Sequence, residues 1–174
     1  KVKLDIPRFH DMNRRGWYSG DLHIHREPGE MALVLRAEEL NVAPVITRHV
    51  GGPRSAVRPS PRIPALRVGL AGVATFDNQE VERLRKGHGA VILLNTPQPV
   101  DDNLTDLFPM DVKFCRQAKT QGGFVDAEKP IWKNVPVNVA LGLVDAVGVV
   151  NNAHHHGRGH LTDDTNFGAY LFRM

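Results

Sequence analysis

The chain is short of cysteine, of aromatic side chains and of long apolar runs, and each shortage removes a class of protein. A single cysteine, Cys115, can neither close an internal disulfide nor build a thiolate zinc cluster. No stretch approaches the roughly 18 consecutive apolar residues of a membrane helix, so no membrane span is expected. The opening residues KVKLDIPRFH contain no apolar segment of signal-peptide length, and because they start at Lys1 the sequence is silent on any targeting signal upstream. Hydrophobic residues make up 41% of 174, a little under the usual share of about 45–50%, which predicts one soluble globular domain with a thin core. Acidic residues are missing altogether between Glu39 and Asp77, while Arg48, Arg54, Arg58, Arg62 and Arg67 fall there. Five prolines share that stretch (Pro44, Pro53, Pro59, Pro61 and Pro64), and from Gly51 to Pro64 their spacing forbids a helix and removes ladder donors. That segment reads either as a solvated loop or as a cationic lid whose guanidinium forks suit phosphate or carboxylate. It has no aromatic platform, and the net charge of +3 is small, so no nucleic-acid partner is expected.

What is present is an alternation of strand and helix patterns. Val2, Leu4 and Ile6 alternate with Lys3 and Asp5 ahead of Pro7, so residues 1–15 read as a linker or the tail of an upstream β domain. A strand is predicted from Trp17 to His25, a helix over Glu30 to Asn41, and a buried strand over Val42 to Thr47. Further strands are expected near Val68 to Phe76, Gln79 to Arg83 and Ala90 to Leu94, the last apolar on both faces like a central parallel strand. Asp111 to Gln121 reads as a helix closed by Gly122, followed by a strand over Gly123 to Ala127. A short proline-started helix (Pro136 to Leu143) and a buried strand (Val144 to Val150) complete the pattern. Strand, helix and strand joined by short connections predict an α/β fold with a parallel sheet.

The residues most suited to chemistry are Asp21-Leu22-His23-Ile24-His25. On a strand the side-chain period is two, which puts Asp21, His23 and His25 on one side and Leu22 and Ile24 on the other. Two imidazoles at that spacing can reach one metal ion or two adjacent ones, and a nearby carboxylate can orient an imidazole or bridge the ions. Glu80 and Glu82 would share a strand face in the same way, and His88 between Gly87 and Gly89 suits a tight turn into a site. The run His154-His155-His156 reads either as a solvated loop or as a further ligand source. Cys115 lies on a predicted helix with no cue for activation, so it is not expected to be a nucleophile.

The stretch Gly16-Trp17-Tyr18-Ser19-Gly20-Asp21-Leu22-His23-Ile24-His25-Arg26 resembles the first motif of the polymerase and histidinol phosphatase (PHP) superfamily, in its carbaryl-hydrolase-like metallohydrolase branch. The resemblance continues through residues 37–47, Glu80-Val81-Glu82-Arg83, Gly87-His88-Gly89-Ala90-Val91, Gly122 to Pro130 and Asn151-Asn152. It implies a distorted (β/α)7 barrel with metals at the C-terminal ends of the strands, and metal-dependent hydrolysis of phosphoesters or related esters. Residue by residue it implies metal ligands at His23, His25, His49, Glu80, His88 and His154, with Glu80 bridging; Asp21 and Lys129 are taken as the catalytic candidates. The cofactor implied is one to three ions of zinc, manganese or iron, and the partner a small anionic or ester substrate. An exported or periplasmic location follows from the resemblance, although a cytoplasmic one fits the residues equally.

Three departures from the family pattern shape the expectation. Lys129-Pro130 stands where the commoner motif has His-Pro, so a cation replaces a ligand and either Asp126 or Glu128 substitutes for it or Lys129 grips the substrate anion. The final Asp-x-His is missing, since after Gly157 only His160, Asp163 and Asp164 remain. The histidine run follows Asn151-Asn152 with one residue more than the family spacing. Residues 16–174 are therefore read as a partial PHP-type barrel lacking its closing strands, whose open edges would recruit a second copy or a missing C-terminal segment. The alternative function is a truncated or degenerate domain that binds metal or ligand without turnover.

Overall fold

In a computed structural model, the described residues are 3–4, 7, 9–50, 63–69, 72–83, 89–100, 111–129, 132 and 134–148. They form strands β1 (Val42–Pro44), β2 (Arg48–Val50), β3 (Leu66–Val68), β4 (Gly72–Thr75), β5 (Gln79–Arg83), β6 (Gly89–Leu94), β7 (Phe124–Ala127) and β8 (Ala146–Val147). Three α-helices intervene: α1 (Met31–Ala37), α2 (Val112–Thr120) and α3 (Val135–Ala140). The strands make a three-stranded sheet in the order β1-β4-β3 and a five-stranded sheet in the order β2-β5-β6-β7-β8.

The two sheets share a bent parallel ribbon. Val42 pairs with Val73 in the first sheet and His49 with Glu80 in the second, the same offset along the chain, so β1 runs on into β2 and β4 into β5 without a change of register. At the bend Val45 donates its N–H to the Thr75 carbonyl at 2.8 Å, and the N–H groups of Thr47 and Arg48 reach the Asn78 carbonyl at 3.2 and 3.3 Å. The buried Asn78 amide ties the corner together. It donates to the carbonyls of Val45 and Thr75 at 3.0 and 2.9 Å, and its oxygen accepts the Asn95 N–H at 3.0 Å.

The expected barrel does not form. Among the described residues the strands make two open, mixed sheets and no closed (β/α)7 barrel. Connection length gives the physical reason at two places, because a parallel crossover needs about a dozen residues or more. Only residues 69–71 separate β3 from β4, and only residues 84–88 separate β5 from β6, so both pairs are antiparallel. β6 is central and apolar as expected, but it runs antiparallel to both β5 and β7. The predicted strand from Trp17 to His25 is reduced to two isolated parallel bridges, Gly20 to Val42 and Ile24 to Val45. Residues 3–4 and 7 lie in no strand.

All three helices end in the same left-handed turn. In α2 the N–H of Gly123 returns to the Ala118 carbonyl at 2.8 Å across Gly122 (φ +75°), and in α3 Leu143 returns to Asn138 at 3.0 Å across Gly142 (φ +66°). In α1 Leu40 returns to Leu35 at 3.1 Å, but here the left-handed residue is Glu39 (φ +52°). A glycine in that position announces the stop in sequence and a glutamate does not, which is why the pattern predicts α1 as far as Asn41.

Alternation along the strands sorts the five-stranded sheet into two faces. Val50, Val81, Val91, Leu93 and Val125 point to one side and pack with Val100 and with Phe114, Cys115 and Ala118 of α2. His49, Glu80, Ile92 and Asp126 lie in one cross-strand row on the other side. The three-stranded sheet has a separate core, in which Met31 and Leu35 of α1 pack against Ala43, Val45, Val68, Ala74 and Phe76.

Candidate metal centre

The site grows from the second face of the five-stranded sheet. Parallel register sets His49 on β2 directly beside Glu80 on β5, and the period of two brings Glu82 to the same side. Segment 20–25 crosses this face, its Leu22 packing against Ile46, Ile92 and Leu94 and so laying His23 and His25 over Glu80. From Gly20 to Ile24 the segment takes one residue more than its partner does from Val42 to Val45. Strict alternation therefore fails across it, as in a β-bulge. Asp21 turns back so that its Oδ1 accepts the His23 N–H at 3.0 Å, and its side chain is exposed.

One carboxylate oxygen gathers three imidazoles. Glu80 Oε2 lies 3.2 Å from His23 Nε2, 3.1 Å from His25 Nε2 and 2.9 Å from His49 Nε2. His23 Nε2 and His25 Nε2 are 2.8 Å apart. On the far side of Glu80, Glu82 Oε2 stands 3.6 Å from His49 Nε2. Two groups of three donors result, His23, His25 and Glu80 on one side and His49, Glu80 and Glu82 on the other, with the donor atoms of each within 4.8 Å of one another. Each group could hold a metal ion, and Glu80 belongs to both.

Charge around Glu80 is closely matched. Glu80 is only 1% exposed. Burial penalises its ionised form, but hydrogen bonds from His23 and His49 and the ammonium of Lys129 outweigh that and hold the carboxyl far below the usual range. Lys129 Nζ lies 3.6 Å from Glu80 Oε1 and 3.9 Å from Glu128 Oε2. For His23, burial opposes protonation, yet hydrogen bonds to Glu128 and Glu80 lift its pKa to about 9. His25 moves the other way, lowered by burial and by the neighbouring His23 and His49 despite Glu80. Asp126, in the same row, is raised to about 6 by burial and by Glu128.

The donor set is one of imidazole nitrogens and carboxylate oxygens, with no thiolate in either group. Cys115 is buried against α2's apolar core, and that burial pushes its thiol up to about 12. His49 Nδ1 is buried without a hydrogen-bond partner among the described residues. Its Nε2 is thus the ring atom committed to the cluster.

Of the residues singled out in sequence, His23, His25, His49, Glu80 and Lys129 are brought together here, and Asp21 touches the group only through the His23 backbone. His88 and His154 lie outside the described residues, as do Arg54, Arg58 and Arg62. Arg48 is no part of an anion grip: it is 4% exposed, with its guanidinium donating to the carbonyls of Thr96 and Pro97 at 2.7 and 3.2 Å. Sequence reasoning left Glu128 as one of two substitutes for a lost ligand, whereas its Oε2 lies 2.7 Å from His23 Nδ1. The period of two that links Asp126 to Glu128 was the available signal. The buried corner of Asn78 and Gln79 was missed, although polar residues between apolar strand patterns at Asp77-Asn78-Gln79 and Asn95-Thr96 marked it.

A separate cleft of about 520 Å³ lies at the other end of the parallel strands, where Ser19 and Asn41 precede Gly20 and Val42. Trp17, Tyr18, Arg36, Glu38 and Glu39 border it, and none of the clustered histidines does. Among the described residues, no helix is long and apolar enough to cross a membrane. Comparison with protein-family models, with curated proteins and with solved structures finds no match to this chain.

Proposed function

We propose that this chain is a metal-dependent hydrolase of phosphoesters or related esters, of the kind its resemblance to the PHP superfamily implies. The observation that carries the reading is the convergence of three histidine Nε2 atoms on the single buried carboxylate oxygen of Glu80, with Glu82 close by. A divalent ion held there supplies an activated water and polarises the scissile bond. The chain's own residues do the rest. With an ion bound, His23, His25 and His49 would ligate through Nε2 and Glu80 and Glu82 through carboxylate oxygens, while Lys129 supplies a cation beside Glu80 for an anionic substrate group. Zinc, manganese and iron are the proposed ions, in one or two positions sharing Glu80.

Elemental analysis and turnover test the reading together. Protein stripped with chelator and reloaded is expected to retain at least one transition metal per chain and to cleave a nitrophenyl phosphodiester or ester. Replacing both histidines (His23→Ala with His25→Ala) should remove metal and turnover. Unchanged metal content in that double variant sinks the site. A second reading, metal held without turnover, is favoured by Lys129, whose ammonium competes with a metal for Glu80 Oε1. Retained metal with no cleavage of either ester class selects it.

A further inference from the structure

The geometry points to Glu128 as the positioning residue of this centre, the group that keeps a proton on His23 Nδ1 and so reserves Nε2 as the nitrogen that would ligate a metal beside Glu80. The inference rests on the metal-site reading above and deepens it. An ionised carboxylate only accepts hydrogen bonds, so the 2.7 Å contact between Glu128 Oε2 and His23 Nδ1 requires the proton to sit on Nδ1. Without metal Nε2 also carries a proton, which it directs at Glu80 Oε2 3.2 Å away; an ion bound there would displace that proton alone, and the lone pair so exposed lies between Glu80 Oε2 and His25 Nε2, the latter 2.8 Å away. A carboxylate placed behind a ligating imidazole fixes its orientation and raises its basicity.

The backbone of Glu128 is itself braced. Gly148, just after β8, approaches so closely that a Cβ there would fall 2.0 Å from the Glu128 carbonyl oxygen. Its N–H donates to the Ala127 carbonyl at 3.1 Å. The pairing of β7 with β8 therefore sets where the Glu128 side chain starts, and only glycine permits that approach.

Zinc affinity by competition with a chromophoric chelator, with ring 15N–1H spectra of the zinc-loaded, histidine-labelled protein, decides the matter. In Glu128→Gln the neutral amide replaces the charged acceptor of the Nδ1 proton; in Glu128→Ala that acceptor is gone. Both are expected to bind zinc about 10- to 100-fold more weakly, and the His23 Nδ1–H proton, far downfield while it donates to a carboxylate, should move upfield in Glu128→Gln. Zinc affinity within twofold of the unaltered protein in both variants, or an Nδ1–H signal unmoved in Glu128→Gln, overturns the role of Glu128 alone. Failure of the unaltered protein to bind zinc overturns the metal site and this inference together.

Discussion

The two faces of the five-stranded sheet are made by the same strands and differ in what dominates them. On one face alternate residues from Val50 to Val125 close against Phe114 and Cys115 of α2 in an apolar cluster. On the other, the intervening residues are His49, Glu80, Glu82 and Asp126, held next to one another by charge and hydrogen bonding. The first face is stabilised mainly by area removed from water; on the second, beside the small apolar cluster of Ile46, Ile92 and Leu94, each buried polar group must find a partner. The apolar face should therefore govern stability and the polar face metal binding, with little exchange between them.

Phe114→Ala strikes the apolar face hardest. The ring is fully buried, and its loss should destabilise the protein by about 3–5 kcal/mol while leaving metal content per folded molecule unchanged. Denaturant unfolding with elemental analysis checks both halves, and metal lost from molecules that remain folded would show that the two faces are coupled.

Asn78→Ala attacks the corner where the two sheets meet. Its amide serves the Val45, Thr75 and Asn95 backbones at once, and leaving such buried groups unpaired costs about 1–3 kcal/mol. The expected sharper sign is loss of a single transition, with hydrogen exchange showing the three-stranded sheet opening apart from the five-stranded one. One coincident transition in the variant would mean that the ribbon is held without this amide.

On the polar face, pH gives a milder effect. The folded pKa of His23 is raised from 6.5 to about 9, so its contribution to stability is full below about pH 6.5 and lost as pH rises through 9. In chelator the thermal midpoint should fall between pH 7 and 9.5 by on the order of a few degrees. His23→Asn should flatten that slope. A slope that persists in His23→Asn assigns it to another group.

Glu82→Gln has the smallest expected cost, within about 0.5 kcal/mol, since Glu82 is partly exposed and lies 3.6 Å from its imidazole partner. Metal bound by the His49, Glu80 and Glu82 group should weaken while that at His23 and His25 persists. Two-step zinc titrations that lose the weaker step alone would sharpen the contrast between the two groups.

Much of this was legible in the residues. Strand pattern identified β5, a continuous apolar run identified β6, the C-terminal glycine placed the end of α2, and His23-x-His25 stood out because imidazoles two apart have few structural uses. Local pattern also paired Glu80 with Glu82, since a period of two needs no partner strand to be seen. The direction of a strand relative to its neighbour has no such local trace, and it misled the reading of β6: apolar residues on both faces report burial, not parallel pairing. The barrel expectation had another source, the family resemblance, and the antiparallel pairings of β3 with β4 and of β5 with β6 overturn it.

The sequence by itself determined which side chains could hold a metal, because donor chemistry and strand period are local properties. Only the tertiary structure decided which of them meet. His23 and Glu128 are separated by 105 positions, and their contact depends on the register of β2 with β5, on the extra residue between Gly20 and Ile24, and on the close approach of Gly148 to β7. Register is set by the packing of whole faces, since a slip of one residue would turn Glu80 into the apolar core and Val81 out of it. No single residue carries that information, and so the centre belongs to the fold.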